Sequence, residues 1–288
     1  MTIYTGVSDV NGDFIIPFSS NYKSGEKIIV KAEKGGAEKT IELYAPSDVV
    51  GGGAIQFTGD YNNFPANIGD MHFSSDITTI APYAFYQSGA GGVTFRTSVT
   101  GLKFDAITTI GEYAFYGYNA CKSIDFGNQL KSIGSYCFQN CSQLQSVNFG
   151  NSLQTIGVDA FYGCGQLQVI NLPNTLISLG SNAFSGCHGV KSINISAGLT
   201  SLPDSAFRNC KPTSLIIPAG IVSMGSRALG GMTTLTKLTM LPTTPPIITA
   251  DTLESLPAGC VIYVPAGALA AYQAAANWTV HASKMIEF

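Results

Sequence analysis

The chain has 288 residues, of which only 11% are charged, and its formal net charge is −3 at pH 7. This slightly acidic balance provides no basic patch for phosphate groups, so a nucleic-acid partner is not expected. No apolar run approaches the ~20 residues that a membrane-spanning helix needs, so we expect no membrane insertion.

The first 46 residues contain three short β-rich runs, bounded by Asn-Gly, Ser-Gly and Gly-Gly pairs. The runs are Gly12–Phe18, Gly25–Ala32 and Lys39–Tyr44. Short β-rich runs with such turn signals predict a small antiparallel sheet. We expect it either to pack on the first coil of the repeats that follow or to continue a domain upstream. The glycine-rich residues 46–53 predict a linker.

From Ile68 to Val264 the sequence repeats one template. One copy is ITTIGEYAFYGYNACKSIDF at Ile107–Phe126, and the next copy, LKSIGSYCFQNCSQLQSVNF, begins at Leu130. The second residue of the Ala-Phe pair recurs in steps of 23 residues, at Phe115, Phe138, Phe161, Phe184 and Phe207. A fixed period of this size predicts a solenoid, in which each coil buries its apolar residues only by stacking on its neighbours.

The end of each template copy alternates apolar and polar residues, which predicts one short strand per coil with one buried face. Nine strands are predicted, at 68–73, 99–104, 121–126, 144–149, 167–172, 190–195, 212–217, 235–240 and 259–264. The L-x-x-I-G part of the template predicts a second extended or turn-like segment and a glycine corner. After the last strand, the Ala-rich residues 266–276 predict a helix that, with Trp278, covers the open end of the column.

The motif I-G-x-x-A-F-x-x-C-x-x-L resembles the BspA-like leucine-rich repeats of bacterial and protist surface proteins. The resemblance implies a mostly β fold with short turns and helices. It implies a right-handed leucine-rich-repeat solenoid of about nine coils, with a small N-terminal β segment and a C-terminal helical cap. The domains would be residues 1–46, 54–264 and 265–288. The string from Gly12 to Ala32 is similar to the later strands of a bacterial immunoglobulin-like domain, of which it covers about half.

Four of the seven cysteines share one repeat position: Cys141, Cys164, Cys187 and Cys210. Neighbouring coils of a parallel sheet lie ~4.8 Å apart, so adjacent members could meet the Cα distances of a disulfide. We favour a column of buried, reduced thiols that pack under each bend, without disulfides. A linear ladder does not supply the tetrahedral geometry of a zinc site, and we expect neither a metal nor a cofactor.

The outward positions of the predicted strands form a candidate ligand-binding face. Asp125, Asn148, Asn171 and Asn194 recur at one of these positions and form a ladder of short polar side chains. Amide groups both donate and accept hydrogen bonds, which suits a glycan or protein ligand. The alternative is that the ladder residues bond to one another and to water along the sheet.

A second candidate site is an insertion of seven residues within Gln87–Ser98, with Gln87 and Arg96 as its contact residues. Insertions in solenoids map to loops on one face, and this is often the binding face. A tolerated surface loop is the alternative, because longer loops cost little free energy.

The sequence contains no recognisable catalytic motif, so we do not expect an enzyme. The resemblance implies a non-enzymatic, adhesin-like binding protein for a protein or glycan, on the cell surface or secreted. Because the first residues lack a basic n-region and an apolar core, we expect no export leader within this chain. Together with the immunoglobulin-like strands, this favours one alternative, a structural or receptor-binding module of a phage or prophage tail fibre, located in the phage particle.

Overall fold

A computed structural model describes residues 2–5, 14–16, 27–34, 37–44, 54–57, 69–73, 77–86 and 99–288. The N-terminal strands are β1 (Thr2–Thr5), β2 (Phe14–Ile16), β3 (Lys27–Lys34), β4 (Ala37–Tyr44) and β5 (Ala54–Phe57). The strands that follow are β6 (Gly69–Phe73), β7 (Thr79–Ile80), β8 (Val99–Phe104), β9 (Thr109–Ile110), β10 (Ser123–Asp125), β11 (Ser132–Ile133), β12 (Ser146–Asn148), β13 (Thr155–Ile156), β14 (Val169–Asn171), β15 (Ser178–Leu179), β16 (Ser192–Asn194), β17 (Ser201–Leu202), β18 (Ser214–Ile217), β19 (Ser223–Met224), β20 (Lys237–Met240), β21 (Ile247–Ile248) and β22 (Val261–Val264).

From β6 to β22 the chain is a parallel solenoid with two ladders of strands. The even-numbered strands form the first ladder, and all of them fall within the nine predicted ranges. The odd-numbered strands form the second ladder, where the L-x-x-I segment was predicted. Equivalent template positions pair in register, so that Ile124 faces Leu102 on one side and Val147 on the other. The predicted solenoid is therefore confirmed.

The core of the solenoid is a continuous column of aromatic rings. Phe115 stacks on Phe138 at 5.4 Å between ring centroids, Phe138 on Phe161 at 5.3 Å, and Phe161 on Phe184 at 5.2 Å. All four side chains are fully buried. Because one coil exposes both faces of its Phe ring, only stacking of successive coils removes these faces from water.

The glycine corner of each coil is required by the close approach of the preceding coil. A Cβ atom at Gly157 would lie 2.5 Å from the backbone nitrogen of Ser135, and one at Gly180 would lie 2.3 Å from that of Val158. Any larger residue there would therefore push two coils apart.

The bends after these corners form a third line of contacts between coils. Tyr113 N–H donates to Ser135 O and Phe115 N–H donates to Cys137 O, each at 2.9 Å. The backbone groups of the bends are thus paired although they belong to neither strand ladder.

The cysteines at the shared repeat position form the predicted column of buried thiols. Cys164 Sγ donates to Phe138 O at 3.3 Å and Cys187 Sγ donates to Phe161 O at 3.3 Å, each bonding the bend of the preceding coil. Burial raises the pKa of Cys187 to about 12. The Cys187 thiol is therefore protonated at neutral pH, and the buried cysteines of the column serve as small core residues with a weak donor.

The N-terminal strands pair differently from the predicted antiparallel sheet. β3 and β4 are antiparallel as predicted, but β2 pairs with neither and instead runs parallel to β6. β5 connects the two parts, since it pairs antiparallel with β4 and parallel with β7. The first coil of an open solenoid presents unpaired N–H and C=O groups, and these strands satisfy them. The predicted linker at residues 46–53 lies outside the described residues.

The C-terminal cap is shorter in helix than predicted and contains an additional strand. Helix α1 (Leu269–Ala274) ends at an extended Ala275, and a 3₁₀ helix (Thr279–Lys284) leads to β23 (Met285–Glu287). β23 pairs in parallel with β22 and extends the first ladder. In the described ranges, no helix has both the length and the hydropathy to cross a bilayer.

The predicted role of Trp278 in covering the column is confirmed by its contacts. Its side chain is fully buried, and Nε1–H donates to Pro246 O at 2.8 Å. Tyr272 packs edge-on against it and donates its hydroxyl to Pro242 O at 2.8 Å. The two aromatic residues thereby satisfy carbonyls of the proline-rich segment 242–246 that they cover.

Candidate binding surface

The outward side chains of the even-numbered strands form a continuous surface, which we call the strand face. On it, the structure brings the four predicted ladder residues into one row. Asp125 is half-buried, while Asn148, Asn171 and Asn194 are exposed. The strand registers align Asp125 with Asn148 and Asn171 with Asn194.

The row is organised as two hydrogen-bonded pairs. Asn148 Nδ2 donates to Asp125 Oδ1, and Asn194 Nδ2 donates to Asn171 Oδ1, both at 2.9 Å. The first pair also anchors the turns after its strands, because Asp125 accepts from Gly127 N–H and Asn148 from Gly150 N–H, each at 3.1 Å. Bonding along the row, which was the predicted alternative, is therefore present within each pair.

The two pairs leave part of their hydrogen-bonding capacity unused. Among the described residues, Asn171 Nδ2 and Asn194 Oδ1 have no protein partner. A hollow of about 210 Å³ is lined by members of both pairs, Asn148, Asn171 and Asn194, and by Asn174. The hollow thus presents both donors and acceptors at positions fixed by the strands.

The strand face continues with charged groups toward β6. A second hollow of about 410 Å³ is lined by Asp70, Gly101, Lys103 and Asp125. Asp70 Oδ1 accepts a 2.6 Å hydrogen bond from Thr100 Oγ1, and a Cβ at position 101 would lie 2.6 Å from the same oxygen. The Asp70 carboxylate therefore occupies space that a side chain at position 101 would fill.

Toward β22 the same face becomes more apolar. Val169 and Ile216 are 50% and 55% exposed. The Lys237 ammonium lies 4.6 Å from the centroid of the Tyr263 ring, in a cation–π contact. The strand face thus changes along the solenoid from charged and amide groups to a mixture with more exposed apolar and aromatic side chains.

A second distinctive surface was not identified from the sequence. Five tyrosines lie on the outside of three successive bends, and we call them the tyrosine cluster: Tyr83, Tyr86, Tyr113, Tyr116 and Tyr136. Tyr83 is 47% exposed and the others are half-buried. The available sequence signal was the recurrence of Tyr directly before the Ala-Phe or Cys-Phe pair in these three coils.

The remaining candidates do not form a reactive centre. His72 Nε2 lies 2.8 Å from Asp105 Oδ1, and His188 Nδ1 lies 3.2 Å from Asn209 O, in a different coil. In the part of the chain that the structure describes, no three His, Cys, Asp or Glu side chains converge as metal ligands. The inserted loop at Gln87–Ser98, with Gln87 and Arg96, lies outside the described residues.

Stacked parallel coils with a polar strand face and a terminal cap define a leucine-rich-repeat solenoid protein. The family model for the BspA type leucine rich repeat region matches residues 60–171 and 108–236 in six copies, more than half of the chain. The chain therefore belongs to the BspA-type leucine-rich-repeat family. Proteins of this type are bacterial cell-surface proteins, and the phage alternative gains no support from the match. No curated protein matches the chain.

Several solved structures resemble the chain, among them the following three. A leucine rich cell surface protein from Faecalibacterium prausnitzii A2-165 has 18% identity and a TM-score of 0.59, covering 82% of this chain and 70% of that one. The T. pallidum leucine rich repeat protein has 26% identity and a TM-score of 0.52, covering 64% and 83%. A leucine-rich repeat protein from Bacteroides ovatus has 17% identity and a TM-score of 0.50, covering 77% and 71%. At 18% and 17% identity, the first and third of these demonstrate the fold.

Proposed function

We propose that this chain is a non-enzymatic, adhesin-like binding protein that holds a protein or glycan ligand on its strand face. The observation that carries this proposal is the row of Asp125, Asn148, Asn171 and Asn194. Its members are ordered in two pairs by 2.9 Å hydrogen bonds, yet they retain unused donors and acceptors beside a hollow.

Ordering of the row before binding is the physical reason that it suits recognition. Asn148 and Asn194 are each held by a neighbour from the preceding coil, so a ligand need not immobilise flexible side chains when it binds. Short amides have few rotamers to lose, and the unused Asn171 Nδ2 and Asn194 Oδ1 can bond a hydroxyl or a peptide group.

Family membership supports the location and the absence of turnover. Because proteins of this type lie on bacterial surfaces and their repeats mediate protein binding, we place this chain on the cell surface or outside the cell. The domain organisation stays a prediction: an immunoglobulin-like segment at residues 1–46, the solenoid at 54–264 and the cap at 265–288.

The test is a binding screen of the whole chain against extracellular-matrix proteins and an array of glycans. The variant carries Asn148→Ala, Asn171→Ala and Asn194→Ala together. Its matched control carries three alanine changes at exposed positions beside the second ladder of neighbouring coils: Gln154→Ala, Ile177→Ala and Thr200→Ala.

We expect the strand-face variant to bind at least tenfold more weakly, because several hydrogen bonds of about 1 kcal/mol each are lost. The control variant should keep the affinity of the unaltered chain. Equal binding by the strand-face variant would exclude the strand face. A seven-residue deletion within Gln87–Ser98, measured in the same assay, tests the inserted loop as the second candidate.

A further inference from the structure

The tyrosine cluster has a backbone conformation that its side chains do not favour. Tyr83, Tyr113 and Tyr136 have φ angles of 58°, 56° and 58°, in the left-handed region. Bulky residues rarely occupy this region, whereas Asn and Asp tolerate it because their short side chains bond to the local backbone.

Later coils show which residues meet the backbone requirement at lower cost. The same position holds Asp159, Asn182, Ser205 and Arg227, with φ angles of 54°, 55°, 55° and 51°. The fold therefore does not need a tyrosine at this position. The left-handed bend belongs to the repeat itself, so what distinguishes these three coils is the choice of a large aromatic side chain at a position that disfavours it, which points to a role of the rings in contact with another molecule.

The rings are arranged in an ordered array. Tyr83 stacks on Tyr113 at 5.0 Å and Tyr113 on Tyr136 at 4.6 Å between centroids, with planes within 11° of each other. Tyr86 packs edge-on against Tyr83 at 5.6 Å and against Tyr113 at 5.7 Å. Since stacking covers the faces of the central ring, the array presents mainly ring edges and hydroxyl groups to solvent.

Two hydroxyl groups of the array are available as hydrogen-bond donors, whereas the hydroxyl of Tyr83 bonds to the Glu112 carboxylate. In the described part of the chain, the hydroxyls of Tyr113 and Tyr136 have no protein partner, while Tyr116 Oη accepts from Asn140 Nδ2 at 3.3 Å. Desolvation by burial raises the pKa of Tyr113, and its phenol, like any tyrosine hydroxyl at neutral pH, carries its proton. The array thus offers the two free donors of Tyr113 and Tyr136 beside the Glu112 carboxylate, which acts on both Tyr83 and Tyr113.

A polyproline II segment has the complementary chemistry and spacing. Its proline residues lack N–H groups, so its backbone presents only carbonyl acceptors, and none of them is used internally. One turn of this helix rises about 9.3 Å. The two stacking distances from Tyr83 to Tyr136 together span nearly the same length. Aromatic surfaces are the usual partners of such segments.

We propose that the tyrosine cluster is a second docking surface, separate from the strand face, and that its partner is a proline-rich segment in the polyproline II conformation. The segment lies along the solenoid axis, its carbonyls accept hydrogen bonds from the hydroxyls of Tyr113 and Tyr136, and its pyrrolidine rings pack on the ring edges. Because the ligand already has its bound conformation, little conformational entropy is lost on docking.

The test measures fluorescence anisotropy of a fluorescein-labelled decaproline peptide titrated with the whole chain. A Gly-Ser peptide of the same length and label is the control ligand. One variant carries Tyr113→Asn and Tyr136→Asn, which supplies the residue found at position 182 and keeps the left-handed bend. A second variant carries Tyr113→Phe and Tyr136→Phe, which keeps the stacked rings and removes only the hydroxyls.

We expect decaproline to bind and the Gly-Ser peptide not to bind. The Asn variant should lose at least tenfold in affinity, since tyrosines that become buried at an interface are frequently its hot spots. The Phe variant should lose several-fold, corresponding to its missing donors. The variant with Asn148→Ala, Asn171→Ala and Asn194→Ala should bind decaproline unchanged.

Three results would overturn the proposal: no binding of decaproline by the unaltered chain, equal binding of the two peptides, or full affinity in the Asn variant. Full affinity in the Phe variant would overturn the role of the hydroxyls. Thermal unfolding followed by circular dichroism verifies that each variant is folded before its affinity is compared.

Discussion

Replacing Phe161 with alanine tests whether the aromatic column holds the coils together. The side chain is 0% exposed and stacks on Phe138 at 5.3 Å and on Phe184 at 5.2 Å, with Phe149 edge-on at 5.5 Å. Removing a buried Phe costs about 3–5 kcal/mol, including the cavity that remains. Because rings above and below both lose a partner, we expect a loss near the upper end of this range, about 4–5 kcal/mol.

The loss is measured as the free energy of unfolding in urea, followed by circular dichroism at a wavelength that reports β structure. The matched control is Phe161→Leu, because Leu229 occupies the same position of the column two coils beyond Phe184 and is itself buried. The control should cost only about 1–2 kcal/mol, since most of the volume is kept. A loss below about 1 kcal/mol for Phe161→Ala, or one equal to that of the control, would refute the reasoning.

Two further outcomes follow from the packing of coils. Gly157→Ala places a Cβ 2.5 Å from the Ser135 nitrogen and should destabilise the chain by about 2–3 kcal/mol in urea unfolding. Gly165→Ala, which meets no atom within 4 Å, should stay within about 0.5 kcal/mol; similar losses for both would contradict the close-approach argument. Stability should also fall with rising pH. Unfolded thiols lose protons above pH ~8.5, whereas burial raises the pKa of Cys187 to about 12, so the folded state holds more protons between these values. The free energy of unfolding should therefore fall through this window, by up to about 1.4 kcal/mol per pH unit for each such thiol. Cys187→Ala should reduce this slope. A pH-independent midpoint up to pH 10 would contradict this linkage.

The repeat made the solenoid predictable because each coil follows the same local rules. The period of 23 residues placed the strands of the first ladder, the Phe column and the thiol column. The ends of the solenoid were less predictable, because they depend on which segment satisfies an open edge. Pairing of β2 with β6 and of β23 with β22 extends the ladder at both ends without a copy of the template.

The candidate site could be predicted only in part, because its details also depend on contacts between coils. The template placed Asp125, Asn148, Asn171 and Asn194 in a row, but the sequence could not state that they bond in two pairs and leave a hollow between donors and acceptors. Those bonds join side chains 23 residues apart, and their geometry depends on how two coils are offset.

The sequence by itself determined the repeat, its buried positions and the membership of a row of polar side chains, since these follow from periodicity alone. Only the tertiary structure decided the pairing within that row, the left-handed backbone beneath Tyr83, Tyr113 and Tyr136, and the stacking of their rings. The side-chain pairing and the ring stacking arise from the spacing between coils, which the close backbone approach at the glycine corners permits, and the left-handed backbone arises from the bend that successive coils share.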